Sequence, residues 1–113
     1  PLIAVEFRHP SWSRSETFAL LERYNSALCL ADGPKDRIPL IEKETADFIY
    51  LRFHGRERLY ASNYSKAELR KWAEKIQNWL KNGLSVYAYF NNDFSGFAFR
   101  NALTLKEMLK NDS

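Results

Sequence analysis

Residues 85–102, SVYAYFNNDFSGFAFRNA, constrain the fold more than any other part of the chain. They read as a strand that runs into a polar tip, Asn91-Asn92-Asp93, then a glycine-containing turn and the start of a helix. Val86, Ala88 and Phe90 fall on one side of that strand, and Tyr87, Tyr89 and Asn91 on the other, because successive strand side chains alternate. A strand passing through a polar tip into a helix is a βα unit. In βα folds, ligands gather at the carboxyl ends of the strands.

The same grammar recurs upstream. Residues 2–7 alternate as a strand, with Ile3, Val5 and Phe7 on one side and Ala4, Glu6 and Arg8 on the other. His9-Pro10-Ser11-Trp12 interrupts it, since proline lacks an amide donor and disfavours helix in the residue before it. Ser13 with Glu16 makes a capping box, and Phe18, Leu21 and Tyr24 form the apolar stripe of a helix that stops at Asn25. Residues 27–31 form a short apolar strand ended by the turn Asp32-Gly33-Pro34. Residues 35–45 are charged, contain Pro39 and show no period, which predicts a loop.

Residues 47–53 form a third strand, with Phe48, Tyr50, Arg52 and then His54 opposite Ile49, Leu51 and Phe53. After a polar loop over 55–64, Ser65 and Glu68 form a second capping box, and Tyr64 is placed to staple onto Leu69. The apolar stripe of that helix is Leu69, Trp72, Ala73, Ile76 and Leu80, and Gly83 ends it. A last helix over 96–109 carries Ala98, Ala102, Leu105 and Leu109 at helical spacing, followed by a polar tail.

Strands alternating with helices imply parallel pairing through right-handed crossovers, an α/β fold. No G-x-G-x-x-G follows any strand, which disfavours a dinucleotide fold. In three strands one side is aliphatic or aromatic, while the other carries Glu6, Arg8, Tyr50, Arg52, His54, Tyr87, Tyr89 and Asn91. A doubly wound sheet needs both faces apolar under its helices. A barrel tolerates polar side chains on its inward face near the top. Four strands do not close a barrel, so the expected architecture is about half of a TIM-type (β/α) barrel with four parallel strands and flanking helices.

At 113 residues the chain forms one domain, and its 45% hydrophobic content supports a core. No stretch approaches the roughly 20 apolar residues of a membrane span, so no membrane partner is expected. The net charge of +3 permits contact with nucleic acid without requiring it. The single Cys29 excludes an internal disulfide and Cys-based zinc sites, favours a reducing, cytoplasmic compartment, and lies in an apolar run where thiols are inert. Pro1 stands directly ahead of the first strand, and the expectation is a piece of a longer chain.

Four motifs carry a family resemblance: VEFRHPSW (5–12), LRFHG (51–55), VYAYFNND (86–93) and FRNA (99–102). In sequence, order and position at strand ends they resemble the YecE-like family, domain of unknown function 72, over the whole chain. The resemblance implies a (β/α)₈-type barrel of which this chain is the C-terminal half, with the N-terminal half as its missing partner. That barrel is similar to endonuclease IV-type barrels, which raises a nucleic-acid reading by analogy of fold alone.

Glu6, Arg8, Arg52 and His54 form the sharpest constellation. Charges on inward faces are costly unless paired. They can serve as a carboxylate acid/base with His54 as proton shuttle and guanidinium anion clamps, or as an ion-pair layer that plugs the barrel. His54 and His9 with Glu6, Asp32 and Asp93 are a conceivable ligand set, but no paired-histidine spacing exists and no metal is expected; the cofactor is left open. Asn91, Asn92 and Asp93 at the strand end can bond a sugar, base or phosphate, or serve as turn residues, and Asn101 can brace that loop. Trp12, Tyr50, Tyr87 and Tyr89 can stack on bases or sugars, or simply pack. Trp72 and Trp79 are expected to pack.

The candidate catalytic residues are thus Glu6 and His54, and the candidate substrate contacts Arg8, Trp12, Arg52, Tyr89, Asn91, Asn92, Asp93 and Asn101. Three readings follow. The first is a hydrolase-like pocket for a phosphorylated or nucleic-acid substrate. The second is a non-catalytic nucleic-acid or nucleotide-binding module, and the third an inactive fragment whose unpaired sheet edges self-associate.

Overall fold

The computed structural model describes residues 2–7, 10–12, 14–33, 42–55, 63–92 and 96–111. Four strands, β1 (Ala4–Val5), β2 (Ala27–Asp32), β3 (Phe48–Phe53) and β4 (Ser85–Phe90), form one sheet in the order β1-β2-β3-β4. Every neighbouring pair is parallel. A 3₁₀ turn (Pro10–Trp12) and helix α1 (Ser15–Arg23) follow β1, α2 (Lys66–Lys81) follows β3, and α3 (Phe97–Asn111) follows β4.

The register confirms the two-faced pattern. Cys29, Tyr50 and Tyr87 lie in one row, and Ala31, Arg52 and Tyr89 in the next. The opposite face supplies Leu28, Leu30, Ile49, Leu51 and Phe53 to a core shared with Leu21 of α1, Leu69, Trp72, Ala73, Ile76 and Trp79 of α2, and Leu105 and Met108 of α3. Phe53 is its hub: its ring stacks on Phe90 at 4.4 Å and meets Tyr64 and Trp72 edge-on at 5.5 and 5.2 Å. Fully burying one such side chain stabilises the fold by about 1.5–3 kcal/mol.

Helix ends follow their residue chemistry. Ser65 accepts from the Glu68 amide at 3.1 Å while the Glu68 carboxylate accepts from the Ser65 amide at 2.9 Å, the reciprocal capping box. Past α2, Gly83 sits at φ +84°, donating to Leu80, and Leu84 donates to Trp79, a Schellman closure. Asn25 does the same for α1 at φ +47°, with Asn25 donating to Glu22 and Ser26 to Leu21. Its amide also donates to the Asp47 carboxylate (3.1 Å) and accepts from the Asp47 N–H (2.9 Å), tying the end of α1 to the start of β3.

Several expectations are corrected. The first strand shrinks from residues 2–7 to Ala4–Val5, because β1 has a neighbour on one side and pairs only at Ala4 and Val5. The second extends one residue to Asp32, which pairs with Phe53. Helix α1 starts at Ser15 with Arg14 in the N-cap position and no side-chain cap, so the Ser13–Glu16 box does not set its start; Ser13 lies outside the described residues. On α2 Trp79 is buried as expected, its indole N–H donating to Glu44 at 2.9 Å, but Leu80 is exposed and leaves the expected stripe, because Leu69, Trp72, Ala73, Ile76 and Trp79 fill the face toward the core. On α3 Asn101, Leu105 and Met108 are buried while Ala102 is exposed, because Asn101 has buried polar partners of its own.

Substituting Gly83 by alanine meets no neighbouring atom within 4 Å, so its cost is conformational. Gly83→Ala lowers the unfolding free energy by about 1–2 kcal/mol in a urea titration, with an unchanged slope. An unaltered midpoint would contradict the left-handed closure of α2.

Candidate functional site

The carboxyl ends of β1, β3 and β4 bring three of the expected residues together. Glu6 follows β1, Arg52 is the penultimate residue of β3, and Asn91 follows β4, all on the face away from the helices. The Glu6 carboxylate lies 3.3 Å from His54 Nε2 through Oε1, and 3.7 Å from Arg52 Nη1 through Oε2. Arg52 Nε and Nη2 both donate to Asn91 Oδ1, at 3.2 and 3.0 Å. Strand alternation puts these side chains on one face, and the register sets Arg52 level with Tyr89 and Asn91 beyond it, so the long side chains bridge successive levels.

Accessibility divides their roles. The Arg52 side chain is 31% exposed and that of Glu6 15%, so both reach the surface. His54 is fully buried behind Glu6. Its imidazole therefore reaches the rim through the Glu6 carboxylate. An ionised carboxylate only accepts hydrogen bonds, so with Glu6 ionised the imidazole carries its proton on Nε2. A guanidinium and an imidazole N–H flanking one carboxylate stabilise its charge and fix its orientation. The Cys29 thiol donates to Glu6 Oε1 at 3.5 Å, a neighbour that sequence reading missed because no motif links residues 6 and 29.

A second layer lies beneath. Asn92 and Asn101, expected among the ligand contacts, are buried and bond each other, Asn92 Nδ2 donating to Asn101 Oδ1 at 2.7 Å. Asn101 Oδ1 also accepts from the Tyr64 amide at 3.2 Å, and its Nδ2 donates to Asn63 Oδ1 at 3.0 Å. They pin the end of β4 to α3 and to the segment entering α2, the bracing foreseen for Asn101. Tyr64 completes this layer: its hydroxyl accepts from the Gly55 amide at 3.1 Å and donates to the Asp32 carbonyl at 3.3 Å. The sequence signal for Tyr64 was its place ahead of the Ser65 cap, which marks an apolar staple and not a hydroxyl partner. Gly55, at φ +92°, takes the backbone conformation that turns the chain there.

Tyr50 and Tyr89 pack with ring centroids 5.2 Å apart beside Arg52, and Trp12 stacks on Phe7 at 5.2 Å while remaining 54% exposed. Trp72 and Trp79 are buried in the core, as expected. Arg8, His9 and Asp93 lie outside the described residues. Among the described residues no group of three or more His, Cys, Asp or Glu is placed to hold a metal ion, and no helix is long and apolar enough to cross a membrane.

The family described as "Protein of unknown function DUF72" matches residues 1–113. The chain belongs to this family. A crystal structure of a DUF72 family protein from Thermotoga maritima MSB8 is similar over 97% of the chain and 46% of its own, at 35% identity and a TM-score of 0.89. One from Enterococcus faecalis V583 shares the fold over 96% and 47%, at 22% identity and a TM-score of 0.83. The chain thus spans about half the length of these DUF72 structures. No curated protein matches it.

Burial pushes the Tyr64 phenol far above its usual range, and the charge of Asp32 adds to the shift. A phenol that stays protonated when folded contributes stability below its unfolded value of about 10, and that contribution is lost as pH rises beyond it. Urea stability therefore falls above about pH 10, and Tyr64→Phe removes this part of the decline. An identical alkaline slope in the two proteins would contradict the buried hydroxyl. At neutral pH, Asn101→Ala costs about 1–3 kcal/mol by stranding the Tyr64 amide and the Asn92 side chain.

Proposed function

We propose that this DUF72 chain carries an acid/base centre for an anionic, phosphorylated substrate at the carboxyl ends of its strands. Glu6 is the proton-transfer group, His54 orients it from behind, and Arg52, steadied by Asn91, holds the anion. The observation that carries the reading is one partly exposed carboxylate set between a guanidinium and a buried imidazole. Paired charges of this kind are also where acid and base groups are found. In hydrolysis Glu6 takes a proton from water as its oxygen attacks phosphorus, and the Glu6 carboxyl then returns that proton to the leaving oxygen as the ester bond breaks.

The runner-up is a non-catalytic nucleic-acid or nucleotide-binding module. The Tyr50–Tyr89 pair beside Arg52 favours it, since base stacking on aromatics next to a cation is sequence-tolerant and salt-dependent.

Titration with labelled single- and double-stranded oligonucleotides at two salt concentrations, then with small phosphorylated metabolites, tests both readings. Binding weakens with salt, and Arg52→Ala reduces it by about tenfold, the loss of one charge-assisted contact. Glu6→Gln abolishes turnover of a phosphoester probe while keeping or improving anion binding in the enzyme reading. Where no turnover occurs and Glu6→Gln still binds, the module reading holds. Absence of any anion binding at low salt sinks both.

A further inference from the structure

We propose that Tyr64 is a positioning residue for Glu6, acting through the backbone of His54. The inference rests on the acid/base reading of Glu6 and names the group that keeps its imidazole partner aimed.

Packing alone asks only for the ring of Tyr64. That ring meets Phe53 and Phe90 edge-on at 5.5 and 6.0 Å, contacts that a phenylalanine would keep. The hydroxyl is buried with it, where an unbonded polar group is costly. Its hydrogen bonds go to backbone groups on either side of His54. The Gly55 amide donates to it at 3.1 Å, and it donates to the Asp32 carbonyl at 3.3 Å. That same carbonyl accepts from the His54 amide at 2.7 Å.

The amides of residues 54 and 55 belong to the two peptide planes that flank the His54 Cα. Each plane is rigid, so the two dihedrals between them set where the side chain leaves the backbone. β3 ends at Phe53 and Gly55 turns away at φ +92°, so the plane after His54 leaves the ladder. The Tyr64 hydroxyl holds that plane and ties it to the carbonyl that holds the plane before. Fixing both planes fixes the Cα–Cβ bond of His54, and with it the aim of an imidazole whose Nε2 lies 3.3 Å from Glu6 Oε1. Tyr64 is itself anchored, since its amide donates to Asn101 Oδ1 of α3 at 3.2 Å. The clamp joins the ends of β2 and β3, each of which pairs with a strand on both sides.

The partners of Glu6 make the effect selective. Among the described residues, Glu6 is faced by Arg52 and His54 from β3 and its end, and by Cys29 from β2. Arg52 has its own hold on Asn91, so releasing Tyr64 loosens the imidazole and leaves the guanidinium in place. Proton transfer then suffers while anion binding does not. A donor to the ionised carboxylate favours its charged form. With the imidazole misaimed, Glu6 therefore takes up its proton at a higher pH.

The test compares Tyr64→Phe with Ile76→Ala, a core substitution on α2 outside these hydrogen bonds. Turnover of a phosphoester probe is measured against pH, and the imidazole Nε2–H by NMR of protein labelled with ¹⁵N at histidine, with His54→Gln assigning the signal. Tyr64→Phe lowers kcat at least about tenfold, since misplacing a reacting group by about 1 Å costs on the order of a hundredfold. KM stays unchanged, the acid limb of the profile moves to higher pH, and the Nε2–H signal shifts toward that of free imidazole. Ile76→Ala moves neither the limb nor the signal. Should Tyr64→Phe fail to fold, Asn101→Ala, which releases the Tyr64 amide, produces the same shifts in smaller measure. A protein without phosphoester turnover counts against the acid/base reading alone, and the clamp then stands on the shifted imidazole signal. A signal that Tyr64→Phe leaves in place overturns the inference, as does a rate loss that Ile76→Ala reproduces.

Discussion

Parallel pairing of β3 with a strand on each side is the constraint on which the rest of the structure depends. β3 bonds to β2 and β4 along its length, and its outward residues Ile49, Leu51 and Phe53 are all buried. Phe53 alone meets α2, β4 and the entry to α2 through Trp72, Phe90 and Tyr64. Parallel strands need crossover connections, and those crossovers put the helices on the face that Phe53 serves. Every ladder then ends at the same rim, so residues far apart in sequence become neighbours there without any long-range motif.

The rim is built in two tiers with different physics. The lower tier is neutral and buried: Asn92, Asn101, Tyr64 and the Asp32 carbonyl exchange hydrogen bonds away from water. Such a network, once satisfied, specifies a single arrangement, because each broken bond strands a polar group. The upper tier is charged and partly exposed. Glu6 between Arg52 and His54 is held by electrostatics, and a desolvated carboxylate keeps its charge only with such partners. The two tiers join where the Asp32 carbonyl also accepts from the His54 amide at 2.7 Å.

How legible these features were depended on range. The Ser65–Glu68 capping box and the stops at Asn25 and Gly83 are local chemistry and could be read directly. So could the polar face, since Tyr50 and Arg52 alternate with Ile49, Leu51 and Phe53 by the strand period. The packing of Trp79 could be read as well, but the exposure of Leu80 could not, because helical spacing places both near the stripe and only the tertiary packing divides them. Asn101 was legible as a brace but not as a buried hub, since its partners Asn63, Tyr64 and Asn92 come from two other segments. His54 was read as a residue of the right face. Its depth behind Glu6 depends on how far β1 extends, and β1 proved short.

By itself, then, the sequence determined the element order, the parallel α/β class, the sheet face that carries polar chemistry and the resemblance to its family. All of these are written in periods of two and 3.6 and in short motifs. Tertiary structure alone decided which polar residues touch one another and which of them are buried. Contact and exposure depend on the register between strands and on what packs over them, and no local pattern encodes either.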